Sequence, residues 1–329
     1  MRDFNRREIL KAATACVAVD LLGIGNLAHA QSAGTAKIIV PYAPGAATDM
    51  LARMMAQHLQ QTLGVVHIVD NKGGAGTRIG TKAIADATPD GMTLGFIDTA
   101  FVINPALFGS ALPYDTVKNF APLSLMATAP LVLSVHSSVP ANTLKELIDL
   151  AKAKPGKYSY CSAGVASAPH LASEQLRAAT GADVIHVPYK GGNSALTDLV
   201  GGHVAFGFTT VPSMLQHIRS GAVRALAVTG ATRSAQLPNV PSMAELGLPS
   251  VDATPLFGLI APAQVPKTIL DKISGIASVA VRSGPLQGKL VEQGFIPVGS
   301  TASEFKAKIE SEIAKWTKVV KAADIKPEA

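Results

Sequence analysis

Two loops built of small residues carry the chemistry of this chain. One is Pro41-Tyr42-Ala43-Pro44-Gly45-Ala46-Ala47-Thr48-Asp49, after the apolar run Lys37-Ile38-Ile39-Val40. The other is Asn71-Lys72-Gly73-Gly74-Ala75-Gly76, after Val65-Val66-His67-Ile68-Val69. Each reads as a strand, a loop and then a helix. Residues this small let a ligand approach the main chain closely. The helix that follows offers unpaired N–H groups at a partly positive N-terminus. Two such termini side by side make an anion site that needs no catalytic side chain. The chemistry they point to is capture of an acid rather than its conversion. A third small-residue loop, Ser162-Ala163-Gly164-Val165-Ala166-Ser167, repeats the device ahead of a helix expected over 170–179.

Other chemistries lack their residues. There is no Gly-x-Ser-x-Gly elbow, and Ser167 and His170 have no evident acidic third member. The run from Gly74 to Gly80 misses the dinucleotide spacing, and no Walker A sequence occurs. The histidines and cysteines show no metal-ligand spacing. An enzyme, a cofactor and a metal are therefore not expected. Lys and Arg are scattered without basic blocks at a net charge of +6, which argues against a nucleic-acid partner and suits an acidic ligand.

Residues 1–30 read as an export leader. Arg2, Arg6 and Arg7 charge its start, and Ala28-His29-Ala30 fits the cleavage rule, leaving Gln31 first and a net charge of +5. Asn5-Arg6-Arg7-Glu8-Ile9-Leu10-Lys11 resembles a twin-arginine signal, the ordinary secretory signal being the other reading. Cys16 leaves with the leader, so Cys161 remains without an internal disulfide partner. No later stretch reaches the apolar length of a membrane span. The expectation is a soluble, exported, monomeric protein of the periplasm.

The positioning elements alternate. Strands are expected at 37–41, 65–70, 93–97, 131–135, 158–161, 184–187, 204–208, 223–229 and 257–260. Helices are expected at 49–63, 79–87, 143–152, 170–179, 195–200 and 303–321, with an irregular stretch around Pro105, Pro113 and Pro122. Such alternation means mostly parallel sheets covered by helices, an α/β class.

Six motifs in order sharpen this. They are residues 41–53, 71–80, Thr88-Pro89-Asp90-Gly91-Met92-Thr93-Leu94, His186-Val187-Pro188-Tyr189-Lys190-Gly191, 195–202 and Pro241-Ser242-Met243-Ala244-Glu245-Leu246-Gly247-Leu248-Pro249. Together they resemble the substrate-binding component of tripartite tricarboxylate transporters, the Bug or TctC family, over essentially the whole chain after the leader. The resemblance implies a type II periplasmic-binding-protein fold, with two α/β lobes joined by a two-strand hinge. Lobe 1 would be 36–134 plus 255–329 and lobe 2 135–254, with crossings at 131–135 and 257–261. It implies capture of a small carboxylate, a di- or tricarboxylate with aromatic ones included, for the membrane permease subunits. The alternatives are an acidic amino acid as ligand, or service to a membrane sensor kinase.

Carried over position by position, the resemblance implies a site made of Tyr42, Pro44, Gly45, Ala46, Ala47, Thr48 and Asp49 with Gly74, Ala75 and Gly76. Asp98, Thr99 and Ala100 are the weaker candidates. From the other lobe come Ser162, Gly164, Ser167, His170, Tyr189 and Thr209. The chain departs from the family in having Ala46 and Ala166 for Gly, and Thr77-Arg78 for Gly-Asn. Arg78 reads either as a partner for a second carboxylate or as a solvated first-turn residue. Asp49 reads as a helix N-cap or as a ligand contact, and His170 as a ligand donor or a bond to the preceding loop. Tyr42 and Tyr189 read as a sandwich for a flat ligand or as packing.

Overall fold

Alternating strands and helices build two mixed sheets. The computed structural model describes residues 34–165, 167–322 and 325; the expected leader, Cys16 and Ala166 lie outside them. In chain order the strands are β1 (Ala36–Val40), β2 (His67–Asn71), β3 (Thr93–Asp98), β4 (Phe120–Thr128), β5 (Leu131–His136), β6 (Ser159–Ser162), β7 (Ile185–Pro188), β8 (Phe206–Thr210), β9 (Val223–Val228), β10 (Leu256–Pro262) and β11 (Ile296–Pro297). The helices are α1 (Ala47–Leu63), α2 (Arg78–Ala85), α3 (Ala100–Phe108), α4 (Leu144–Ala153), α5 (Ala168–Thr180), α6 (Gly192–Val200), α7 (Val211–Arg219), α8 (Lys267–Arg282), α9 (Pro285–Gln293) and α10 (Ala302–Ala322).

The first sheet runs β11-β4-β10-β3-β1-β2 and the second β7-β6-β8-β5-β9. Strands β1, β2 and β3 are parallel, as are β6, β7 and β8, while β10 and β5 run antiparallel to their neighbours. Parallel strands place every following loop and helix N-terminus at one sheet edge, where open α/β sheets hold ligands.

Helix α1 shows how the sequence sets these elements. Leu51, Met55 and Leu59 recur at helical spacing and are buried with Ala52 and Ala56. Gly64 stops the helix at φ 71°, the left-handed conformation that glycine adopts without strain. Thr143 opens α4 by accepting from the Glu146 N–H at 3.2 Å, as the capping box there requires.

The chain leaves the first sheet at Ala129-Pro130 and returns through 229–255. These passages run side by side. Ala129 N–H donates to Pro255 O, and Thr229 bonds Leu131 through both its N–H and its hydroxyl. β5 lies wholly in the second sheet and β10 wholly in the first, and residue 134 falls within β5. The stretch expected to be irregular holds α3 and β4. Helix α3 tolerates Pro105 and is apolar on nearly every side, because it is buried against both α10 and the first sheet; it shows no stripe for periodicity to detect. Pro122 sits in β4 beyond the reach of β11, opposite Ile260 of β10 and beside a register shift in that pairing, the kind of edge or bulge position at which a strand accepts proline. Helices α7, α8 and α9 were also not expected. The buried face of α8 is largely Ala and Ser, which weakens its pattern.

Candidate functional site

Four helix N-termini converge on one cavity between the sheets. It holds about 60 Å³ and is lined by Ala46, Ala47 and Thr48 of α1, Ser167, Ala168 and Pro169 of α5, Gly192 and Ala195 of α6, and Thr210 and Ser213 of α7. Tyr42, Asp98, Ala163, Phe208, Thr209, Pro255 and Phe257 complete the wall. The first N–H groups of a helix have no acceptor within it. At α1, α6 and α7 the residue before the helix supplies no side-chain cap either. Only Ser167 caps its own helix, accepting from His170 N–H at 3.4 Å. Thr209 adds a buried hydroxyl with no hydrogen-bond partner among the described residues, a group that folded proteins leave without a use only rarely. Pro169 and Pro212 remove one N–H each from α5 and α7, and Val211 N–H is taken by Pro130 O at 3.0 Å; the main-chain donors that remain, those of α1 and α6 above all, have the chemistry to meet an anion.

Asp98 is the acid in this wall. Burial lifts its pKa from 3.8 to about 6, against the opposing pull of hydrogen bonds from Ala100 N–H at 3.0 Å and the Tyr42 hydroxyl at 2.9 Å. Burial and then the Asp98 charge push the Tyr42 phenol well above its usual range, so it stays protonated and donates.

A second cavity of about 440 Å³ adjoins Tyr42 and Ala163. It is lined by Gly74, Ala75, Gly76, Thr77 and Arg78, by Pro41 and Phe108, and by Gly164, Val165, Pro188, Tyr189 and Lys190. The loops of the two sheets meet around both spaces: a Cβ on Gly192 would lie 3.5 Å from that of Ala46, and one on Gly45 3.1 Å from Asn193. The methyl of Ala46 thus faces Gly192 at the start of α6.

The expected residues divide accordingly. Tyr42, Ala46, Ala47, Thr48, Ser167 and Thr209 line the first cavity; Gly74, Ala75, Gly76, Arg78, Gly164 and Tyr189 line the second. Pro44, Gly45, Asp49, Thr99, Ser162 and His170 line neither; Pro44 and Gly45 are exposed and the other four buried. Asp49 is not the N-cap; that place belongs to Ala46. Three residues into α1, its buried carboxylate accepts from Gly45 N–H at 3.0 Å, Arg53 Nε at 2.9 Å and Asn71 Nδ2 at 3.0 Å, clamping the loop. Burial opposes its charge, but these bonds, Arg53 first, win and hold its pKa below the usual value. Thr99 Oγ1 accepts from Leu256 N–H at 3.0 Å and ties β10 to the start of α3. Ser162 Oγ lies 2.7 Å from His186 Nε2, and its hydroxyl is shared with Gly164. The His170 ring stacks on His186 at 4.3 Å, with Tyr160 on the other face of His186 at 4.8 Å. Burial and then the neighbouring His170 push the His186 pKa down to about 4.

Both tyrosine hydroxyls are engaged, Tyr42 with Asp98 and Tyr189 with Asp198 at 2.6 Å. Arg78 is not simply solvated. Its Nε donates to Ala75 O at 2.8 Å and its guanidinium carbon lies 3.9 Å from the centroid of the Phe108 ring. Sequence reasoning missed Phe208, Phe257 and Phe108, strand and helix residues whose apolar character reads as core whichever way they face. It also missed Ser213, in the first turn of α7. Among the described residues no cluster of His, Cys, Asp or Glu is arranged to hold a metal ion, and no helix is long and apolar enough to cross a membrane.

The chain matches the Tripartite tricarboxylate transporter family receptor, TctC, over residues 51–325. It belongs to that family. Its fold is that of the family's periplasmic binding proteins. BugD, a solved periplasmic binding protein, is 31% identical with a TM-score of 0.85, over 89% of this chain and 99% of that one. R. palustris Rpa4515 with adipate is 31% identical with a TM-score of 0.86, over 89% and 98%. MatC from Rhodopseudomonas palustris with bound malate is 28% identical with a TM-score of 0.81, over 87% and 98%.

Proposed function

We propose that this TctC receptor captures a small organic dicarboxylate in the periplasm and presents it to the membrane permease subunits of a tripartite tricarboxylate-type transporter. The observation that carries the reading is the convergence of four helix N-termini on one cavity between the sheets, a main-chain cradle for a carboxylate. Adipate and malate in two relatives support the dicarboxylate class. The two lobes are built on the two sheets, residues 36–128 with 256–322 and residues 131–228, hinged at the paired passages. Closure follows from ligand contacts to both lobes, since only a ligand that favours the closed state shifts the equilibrium. An acidic amino acid is the second reading: Asp49 is taken up by Arg53, Asn71 and Gly45, which leaves Asp98 in the cavity wall, already held by Ala100 N–H and the Tyr42 hydroxyl, as the acid that would meet its ammonium.

Thermal-shift measurement against aliphatic and aromatic diacids, citrate, acidic amino acids and neutral amides tests this. A ligand of the folded state raises the melting temperature by mass action. A rise for diacids that is absent for their diamides is expected; no rise with any carboxylate, for folded ligand-free protein, refutes the reading. Loss of diacid uptake on gene deletion is the expected transport phenotype, whereas lost induction with normal uptake assigns the protein to a sensor.

A further inference from the structure

The larger cavity differs from the smaller in charge and in how its cation is held. Its walls carry Arg78 and Lys190 and no Asp or Glu. Arg78 is fixed twice, by the Nε bond to Ala75 O and by the Phe108 ring beneath it. Neither contact uses the two terminal nitrogens, which meet no acceptor among the described residues. A planar guanidinium fixed in this way presents two parallel donors, the geometry that matches a carboxylate.

The backbone beside it is strained into position. Gly74, Ala75, Gly76 and Thr77 all have positive φ, at 124°, 48°, 60° and 74°. Alanine rarely adopts that region, and a β-branched threonine still less. The strain is held by buried Asn104, whose Nδ2 donates to Gly76 O at 3.0 Å and to Thr77 Oγ1 at 3.1 Å. The result turns Ala75 O under Arg78 Nε. Strain kept this way clusters where a ligand is held. The two cavities share Tyr42 and Ala163 as wall.

We propose that the larger cavity receives the second carboxylate of the bound acid, paired end-on with the two terminal nitrogens of Arg78. Arg78 is then the residue that selects diacids over monoacids, and Lys190 adds positive charge at the exposed rim. The inference rests on the smaller cavity holding the first carboxylate.

Calorimetric titration of the purified protein with succinate through suberate and with terephthalate identifies the tightest diacid, which is then compared with its own monoamide. The diacid is expected to bind at least tenfold tighter than the monoamide. Arg78→Gln is expected to weaken the diacid at least tenfold, to erase that gap and to leave the monoamide within twofold of its native affinity. Arg78→Lys, which keeps the charge and loses the paired donors, is expected to retain only part of the preference. Native melting temperatures establish that both variants fold. Equal weakening of diacid and monoamide by Arg78→Gln, or an unchanged diacid affinity, overturns the inference while leaving the smaller cavity's role intact. Absence of binding by every carboxylate, monoamides included, overturns that role and this inference with it.

Discussion

Asp98→Asn probes the acid in the wall of the smaller cavity. The native carboxyl has a pKa of about 6, raised from 3.8 first of all by burial. Between those values the folded chain holds a proton that the unfolded chain has released. The group's contribution to stability is therefore full below pH 3.8 and declines as pH rises through 6. Above that range the ionised carboxylate costs about 3 kcal/mol, roughly two pKa units at about 1.4 kcal/mol each. Asparagine has the same shape, keeps an acceptor for Ala100 N–H and the Tyr42 hydroxyl, and never ionises. The variant should match the native protein near pH 4 and exceed its stability at pH 7.5 by up to about 3 kcal/mol. Urea unfolding across pH 4–8 measures the gap. A gap that stays constant with pH, or a native protein that is the more stable at pH 7.5, refutes the reasoning. Binding follows the same linkage. An anion beside Asp98 raises its pKa further, so native affinity for a carboxylate should climb as pH falls from 7.5 towards 6, by at most about tenfold per unit. It should stay flat in Asp98→Asn. His186, held at about 4, contributes nothing over that interval.

Asp49→Ala strands Gly45 N–H, Asn71 Nδ2 and Arg53, and should cost about 2–3 kcal/mol at pH 7. Because the native pKa is depressed, that advantage is present above 3.8 and lost as pH falls below it, so the gap between variant and native protein in urea unfolding should close as pH is lowered through the acid range. Thr77→Asn replaces a β-branched residue at φ 74° with one that tolerates the left-handed region and keeps an acceptor for Asn104. It should stabilise by about 0.5–1 kcal/mol in urea unfolding, and a loss greater than about 1 kcal/mol would show that the strain assigned to Thr77 is absent.

The sequence announced the site's framework better than its walls. Strand, small-residue loop and helix could be read three times over, because glycine and alanine at those loops leave few other roles, and the cavities do lie at those loops. The helix at Val211–Arg219 was missed, although its first turn contributes Thr210 and Ser213 to the smaller cavity. It is short, and Pro212 at its start reads equally as a turn. Asp49 and His170 were sought in the ligand's path because their chemistry is conspicuous. Local spacing cannot show that Arg53, Asn71 and Gly45 would claim the one, or that a ring from β7 would stack on the other. Arg78 was noticed as an oddity of type; the Phe108 platform that orients it comes from a different helix and has no local signature.

The main-chain cradle has a consequence for how such receptors diversify. Donors that belong to peptide N–H groups survive every amino-acid exchange except one to proline. Side chains around them are then free to drift without forfeiting the grip on the acid. Preference among acids is then left to a few rim side chains, the part proposed above for Arg78, while the ability to hold a carboxylate at all is buffered against mutation. A lineage built this way changes its diet in single steps, each intermediate still a working receptor.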